Sequence, residues 1–247
     1  MVVVLAVLGF FLMAAVSSAE LSLPDIFSDH MVLQQQMKVP MWGTSGAGAS
    51  ITVRFRGQTQ STKADAQGKW RVQLNPLDAT ADQTGSDLVV EGDGVTVAIH
   101  DVVVGEVWLG AGQSNMAWPC SADGKQGARP VDIEPATFPN LRMVGNLATT
   151  KTPKFAWSIC TPESVPVWSA LMFYTGRDLH QELKVPVGLI VAGAGLTSVS
   201  AWMSSEDFMA DEGCRKAWAN YSEVVYPRVK AEYPAKVAEW DRLYGDS

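Results

Sequence analysis

Apolar residues follow three different spacings along this chain, and each spacing predicts a different kind of element. Between Glu20 and about His100 they alternate with polar residues over short stretches. Ile51, Val53 and Phe55 alternate with Thr52 and Arg54, the period of two expected of a half-buried strand. Arg56-Gly57-Gln58 can turn that strand back. Trp70, Val72 and Leu74 alternate again after Asp65-Ala66-Gln67-Gly68. Leu88 to Val90 and Val95 to Ile99 flank Gly92-Asp93-Gly94, a hairpin signal. Regularly spaced short strands with glycine turns between them predict a β-sandwich.

From Val102 the apolar residues come in runs. Val102 to Leu109 predicts a strand that feeds a small-residue turn, Gly110-Ala111-Gly112, and Leu141 to Val144 predicts another strand. Ser169 is placed to cap a helix running to about Leu183, with Leu171, Phe173 or Tyr174, and Leu179 or Leu183 facing inward. Lys184-Val185-Pro186 ends that helix, and Val187 to Val191 reads as a buried parallel strand. A helix leading into a fully apolar strand is the unit of a doubly wound sheet. The predicted fold class is therefore α/β, with a β-sandwich over 20–103 and a parallel-sheet α/β domain over 104–247. The boundary falls near Asp101 to Gly105. Farther on, Val225, Val229, Tyr233, Val237, Trp240 and Tyr244 recur at helical spacing on one face. Pro227 and Pro234 predict breaks or helix starts there.

Composition changes this picture at the amino terminus and in the choice of partners. Val2 to Val16 is almost wholly apolar and is followed by Ser17-Ser18-Ala19. That pattern predicts a signal peptide over 1–19, cut after Ala19, and a secreted or lysosomal protein. The run is short for a membrane span, and no later segment is long and apolar enough to cross one. The net charge of −7 argues against a nucleic-acid partner and gives no global attraction for an anionic substrate. Asn220-Tyr221-Ser222 is an N-glycosylation sequon. Cys120, Cys160 and Cys214 fit no zinc motif. They leave room for one disulfide and one free thiol, and spacing does not say which pair would join.

The candidate chemistry lies in Gly105 to Pro119, GEVWLGAGQSNMAWP. A strand that breaks at glycines and presents Ser114 on the way into a helix is one way to hold a nucleophile, because free N–H groups at a helix start favour an oxyanion. A plain strand followed by a polar turn is the other reading of the same letters.

Val107 to Met116, VWLGAGQSNM, resembles the nucleophile block of the sialate O-acetylesterase family, whose members are SGNH-type serine esterases. The family usually has Cys-Ser where this chain has Gly110-Ala111. Phe27 to Gln34, FSDHMVLQ, and Pro40 to Gly43, PMWG, resemble the opening of the same family. Ala192 to Met203 resembles its second block, with Gly195, Thr197, Ala201 and Trp202 matching. Ala194 stands where the family has Trp, and Leu196 where it has a second Gly, a substitution that would be costly if a positive φ is required. The resemblance implies an SGNH-hydrolase-like domain, Ser114 as nucleophile, and backbone N–H groups of Ser114 and Gly195 as the oxyanion hole. It also implies an O-acetylated sugar or sialoglycan as substrate, with no metal and no organic cofactor.

A serine hydrolase also needs a base and an orienting acid, which these esterases usually supply as Asp-x-x-His. The three histidines, His30, His100 and His180, are preceded three positions earlier by Phe27, Val97 and Arg177. The family's Gln-Gly-Glu block is also absent. The expectation is an esterase chain truncated before its catalytic Asp and His. The alternative is a catalytically inactive, secreted carbohydrate-binding protein, since nine tryptophans offer surfaces for stacking on sugars. His30 and Asp29 are expected to tie down a loop.

Overall fold

A computed structural model describes residues 20–81, 84–121, 130–145 and 156–244; the expected signal peptide lies outside them. Among the described residues ten strands run in the order β1 (Val32–Gln34), β2 (Val39–Thr44), β3 (Ser50–Phe55), β4 (Gln58–Lys63), β5 (Lys69–Leu74), β6 (Ser86–Gly92), β7 (Val95–Gly112), β8 (Phe138–Gly145), β9 (Ser158–Cys160) and β10 (Val187–Gly193). The α-helices are α1 (Ser114–Ala117), α2 (Pro130–Ile133), α3 (Ala170–Leu183), α4 (Ser205–Ala210), α5 (Glu212–Asn220) and α6 (Tyr226–Tyr244). Eight strands form one mixed sheet in the order β4-β3-β6-β7-β10-β8-β9, with β1 also on β7, and β2 pairs with β5 in a second, two-stranded sheet. The class is α/β, as the spacing predicts.

The alternating stretches are strands in the expected register. Ile51, Val53 and Phe55 are buried, as are Trp70, Val72 and Leu74. The hairpin forms at Gly92-Asp93-Gly94, with Asp93 and Gly94 both at positive φ, the geometry of a tight β-turn. These side chains share one core with Met41, Leu88 and Val90. The apolar run Val187–Val191 is a parallel strand between β7 and β8. Its Val187, Leu189 and Val191 pack in a second core with Leu141, Met143, Met172 and Phe173.

The helix expected after Ser169 is α3, and the Ser169 side chain accepts the Met172 N–H. Its inward face is the expected one in part: Phe173 is buried, and Tyr174 and Leu179 pack against the core. Met172, Phe173 and Gly176 are buried, whereas Leu171 and Leu183 are about half exposed. Gly176 is the reason: a methyl there would stand 2.8 Å from Leu141 Cδ1 and closer still to Leu189. The missing side chain lets the helix sit directly on β8 and β10.

Two other expectations change. The Gly110-Ala111-Gly112 turn is instead the end of β7, because each of these residues pairs with one in Val191 to Gly193 of β10. The chain turns at Gln113. The last helix is not broken at Pro234, which lies inside α6; the irregularity is a π-turn at Tyr221–Val225, just ahead of Pro227, which has no N–H to give to the continuous helix. The apolar face of α6 is not in a core: Val229 and Tyr233 are exposed, and Val237 is 37% exposed.

Strand β7 passes from antiparallel pairing with β6 to parallel pairing with β1 and β10. At the changeover Asp101 takes a positive φ of 54°. Arg142, on β8 and only 2% exposed, reaches across to this point. Its Nη1 donates to the carbonyls of Asp101 and His30, its Nη2 to Asp101 Oδ1 at 3.1 Å, and its Nε to Pro139 O at 3.2 Å. His30 Nδ1 lies 2.7 Å from Asp101 Oδ2. Asp29 accepts the His100 N–H at 2.7 Å. His30 and Asp29 therefore tie down the loop before β1, as expected. Burial pushes the Asp101 carboxyl upward, but the His30 contact and the Arg142 charge outweigh it and hold the group below the usual carboxylate range.

Asp101→Asn keeps a side chain that tolerates positive φ and removes the charge. It is expected to lower stability by roughly 1.5–3 kcal/mol, by leaving the Arg142 guanidinium short of its counter-charge. Since the folded carboxyl is depressed, its contribution is full well above about pH 4 and fades as pH falls through the folded value. Urea midpoints measured from pH 7 to pH 3 should show that acid loss in the parent and less of it in the variant.

Candidate active site

Ser114 stands two residues beyond the carboxyl end of β7 and opens α1. This is where ligands bind in open α/β sheets. The helix is a single turn, so its macrodipole is small; what it offers Ser114 is local geometry. The Met116 and Ala117 N–H groups both return to Gln113 O, at 3.0 and 3.2 Å.

The seat under Ser114 is built from small residues. A methyl on Gly193, at the end of β10, would lie 2.8 Å from Ala117 Cβ and 3.1 Å from its backbone N. Only a bare backbone there lets α1 lie across the strand. A methyl on Gly110 would run into the Met172 and Met116 sulfurs, which fill that space instead. The exit from the turn is held as firmly. Ala170 N–H donates to Trp118 O, Cys120 N–H to Trp168 O and Ser121 N–H to Pro166 O, each at 2.8 Å.

Gly195 lies beside Ser114: a methyl built on it would be 4.0 Å from Ser114 Cβ. The register of β7 and β10 accounts for this, since Gly112 and Gly193 are partners and Ala194 N–H donates to Gly112 O at 3.0 Å. Thr197 Oγ1 donates to Ala194 O at 2.7 Å, and Trp202 Nε1 to Thr197 Oγ1 at 3.1 Å. Thr197 and Trp202 thus fold the loop back on itself. Leu196 takes a positive φ of 63° and its side chain is fully exposed. The strain that the sequence anticipates is present and has no packing to offset it.

The other expected parts of a serine hydrolase are not beside Ser114. Its Oγ has a long contact of 3.5 Å to Gln113 Oε1. His30 is bound to Asp101, and His100 Nδ1 sits 3.1 Å from Asp87; His100 is about 30–40 Å back along β7 from Ser114 at the usual strand rise. His180 Nδ1 lies 2.8 Å from Val185 O. Val185 precedes the amino end of β10, and Ser114 follows Gly112, the partner of Gly193 at its carboxyl end, so His180 lies at the opposite end of that strand.

The three cysteines are free thiols. Burial pushes the Cys120 and Cys160 thiols up to about 12, so both stay protonated and unreactive at neutral pH. Asn220 is exposed at the end of α5. Among the described residues no group of three or more His, Cys, Asp or Glu is placed to hold a metal ion, and no helix is long and apolar enough to cross a membrane. A groove of about 1050 Å³ begins at Ser198 and is lined by Met203, Phe208, Trp218 and Tyr221 among others; Ser114 and Gly195 do not line it.

No model of a known protein family matches the chain. Over 229 residues it is 28% identical to sialate O-acetylesterase of Homo sapiens, covering 81% of this chain and 42% of that protein. It is 27% identical to the Rattus norvegicus protein of the same name over 228 residues, 82% of this chain and 40% of that one. The crystal structure of a carbohydrate acetylesterase from Xanthomonas citri superposes with a TM-score of 0.66 at 30% identity, over 78% of this chain and 44% of that chain. The chain thus spans about two fifths of the length of the curated relatives it matches.

Leu196→Gly is expected to stabilise the fold by about 0.5–1 kcal/mol, by removing the left-handed penalty at an exposed position where no contact is lost. Leu196→Ala keeps a Cβ and should give no such gain. Thermal or urea unfolding of both variants checks this.

Proposed function

The chain belongs to the sialate O-acetylesterase family over the part it shares with these relatives, and on that premise we propose that it carries the nucleophile half of a serine esterase. The reaction is removal of O-acetyl groups from sialic acid or a related acetylated sugar. The observation that carries the reading is the placement of Ser114 and Gly195 side by side at the carboxyl ends of two adjacent parallel strands. Ser114 Oγ attacks the acetyl carbonyl, and the N–H groups of Ser114 and Gly195 stabilise the oxyanion. Collapse of the tetrahedral intermediate expels the sugar hydroxyl and leaves an acetyl-serine, which water hydrolyses to acetate. The proton leaves Ser114 for a histidine outside this chain, because His30, His100 and His180 are all engaged elsewhere.

The surrounding readings follow the same premise. The strands of 20–103 form a β-sandwich, supported by β2 and β5 sharing a core with β3 and β6. The SGNH-like domain begins at about residue 104. The protein is secreted or lysosomal, with Asn220 as its glycan site. The second reading is a carbohydrate-binding protein without catalysis. The exposed aromatic rings of Trp202, Trp218 and Tyr221 favour it, the last two lining the groove beyond Ser198.

The test uses the full chain, p-nitrophenyl acetate, a fluorophosphonate label and Ser114→Ala. With an oxyanion hole but no base, turnover is expected about a million-fold below that of a complete serine hydrolase, and the fluorophosphonate label to be lost in the variant. A folded chain that neither turns over nor labels at Ser114 would leave sugar binding as the function. Full-rate turnover would show that a base is present in the chain.

A further inference from the structure

The small sheet of β2 and β5 carries a hollow of about 530 Å³, which Trp42, Thr44, Lys69 and Arg71 help to line. Ser114 and Gly195 do not line it. The period of two puts these four side chains on one outward face. Trp42 and Thr44 of β2 are exposed while Met41 and Gly43 are buried, and Lys69 and Arg71 of β5 are exposed while Trp70 and Val72 are buried. The antiparallel register sets Trp42 opposite Arg71 and Thr44 opposite Lys69, so the four are cross-strand neighbours.

The walls of the hollow are fixed by the fold. Ser22 and Thr44 exchange N–H···O bonds, each at 2.9 Å, which hold the segment 22–24 along β2. Gly43 permits that approach, since a methyl on it would run into Ser22 O. The Trp42 ring meets Phe27 in a T-shaped contact, with 4.7 Å between centroids, yet Trp42 is still 42% exposed. A ring that is held in place and wet on one side is a stacking surface obtained at little cost in side-chain entropy.

The charge in the hollow runs against that of the chain. The net charge is −7, yet no Asp or Glu lines this site. Arg54, Arg177 and Lys216 find carboxylate partners elsewhere on the surface. Among the described residues the Lys69 ammonium and the Arg71 guanidinium have neither an ion pair nor a hydrogen bond. Trp70 also lines the hollow, and its buried Nε1 has no hydrogen-bond partner. Three donor-bearing side chains of one hollow thus lack an acceptor from the protein.

We propose that this hollow is a second glycan site, separate from Ser114, that takes a carboxylated pyranose. The sugar ring lies on Trp42, and its carboxylate meets the planar fork of Arg71 with the Lys69 ammonium beside it. A neutral sugar leaves both cations uncompensated, and a bare anion makes no use of the ring. The recognition of an acid that the net charge does not supply is therefore local. The site stands whether or not Ser114 turns over.

The test titrates the full chain with the methyl glycosides of N-acetylneuraminic acid, of glucuronic acid and, as the neutral control, of glucose. The tryptophan indole N–H signals are followed by NMR, with that of Trp42 assigned by its loss in Trp42→Phe. At least one acid is expected to move the Trp42 signal with a Kd of about 0.1–1 mM, weakening as salt is added. The one that binds identifies the source of the carboxylate. The neutral glycoside should bind at least roughly tenfold more weakly. Trp42→Ala should cost at least roughly tenfold in Kd. Because that change also removes the Phe27 contact, the exposed pair Lys69→Gln with Arg71→Gln provides a second variant, which should bring the acid down to the neutral control. Fluorophosphonate labelling of Ser114 should be the same in parent and variants, so a chain that binds the acid without labelling would sink the esterase reading and uphold this site. No shift of the Trp42 signal up to about 10 mM, equal binding of the neutral glycoside, acid binding that survives the double substitution, or full displacement by equimolar sulfate would each overturn the proposal.

Discussion

One buried cation holds the two halves of this sheet in line. Strand β7 must leave an antiparallel neighbour and join parallel ones within a few residues, and its backbone does so through a left-handed residue, Asp101. Such a break exposes carbonyls that neither set of neighbours can reach. Arg142 fills the gap: its guanidinium donates to the Asp101 carbonyl and carboxylate and to the His30 carbonyl in the loop before β1. The charge is almost fully removed from water, so the arrangement is stable only while each donor has its partner. The direction in which β7 delivers Ser114 follows from this junction.

Downstream of it, the active-site seat is made by close approach. Glycines at the ends of β7 and β10 bring α1 down onto the sheet, and Met116 and Met172 fill the space that larger strand residues would occupy. Hydrogen bonds from the start of α3 fix the exit from the turn. Ser114 and the Gly195 loop are thus positioned by contacts within this chain. Such preorganisation is what lets backbone N–H groups stabilise developing charge without first having to rearrange.

Much of this was legible in the sequence, and the failures have physical causes. Period-two stretches such as Ile51, Val53 and Phe55 announce their buried face directly. Ser169 announces α3 because a cap is a local hydrogen bond. That Leu171 and Leu183 turn away from the core was not legible, since the helix is seated by Gly176, which contributes an absence of atoms and carries no hydropathic signal. Arg142 was concealed by lying within an apolar run, although a lone charge between Leu141 and Met143 was the available clue. The exposed stripe of α6 shows the reverse error: helical spacing predicts an apolar face but not that the face has something to pack on. The neighbourhood of Ser114 and Gly195 depends on the pairing of strands distant in sequence, which only motif resemblance could anticipate.

The central place of β7 also sets an order of events as the chain is made. Its partners β1 and β6 precede it, so its first half can pair as soon as it leaves the ribosome. Its second half waits for β10, roughly eighty residues later, an interval of about 4–16 s at ordinary synthesis rates. During that interval Val107 to Gly112 has neither edge satisfied, and Trp108 and Leu109 are free to find another chain. The strand that leads to Ser114 is therefore also the segment for which a chaperone has most reason to wait.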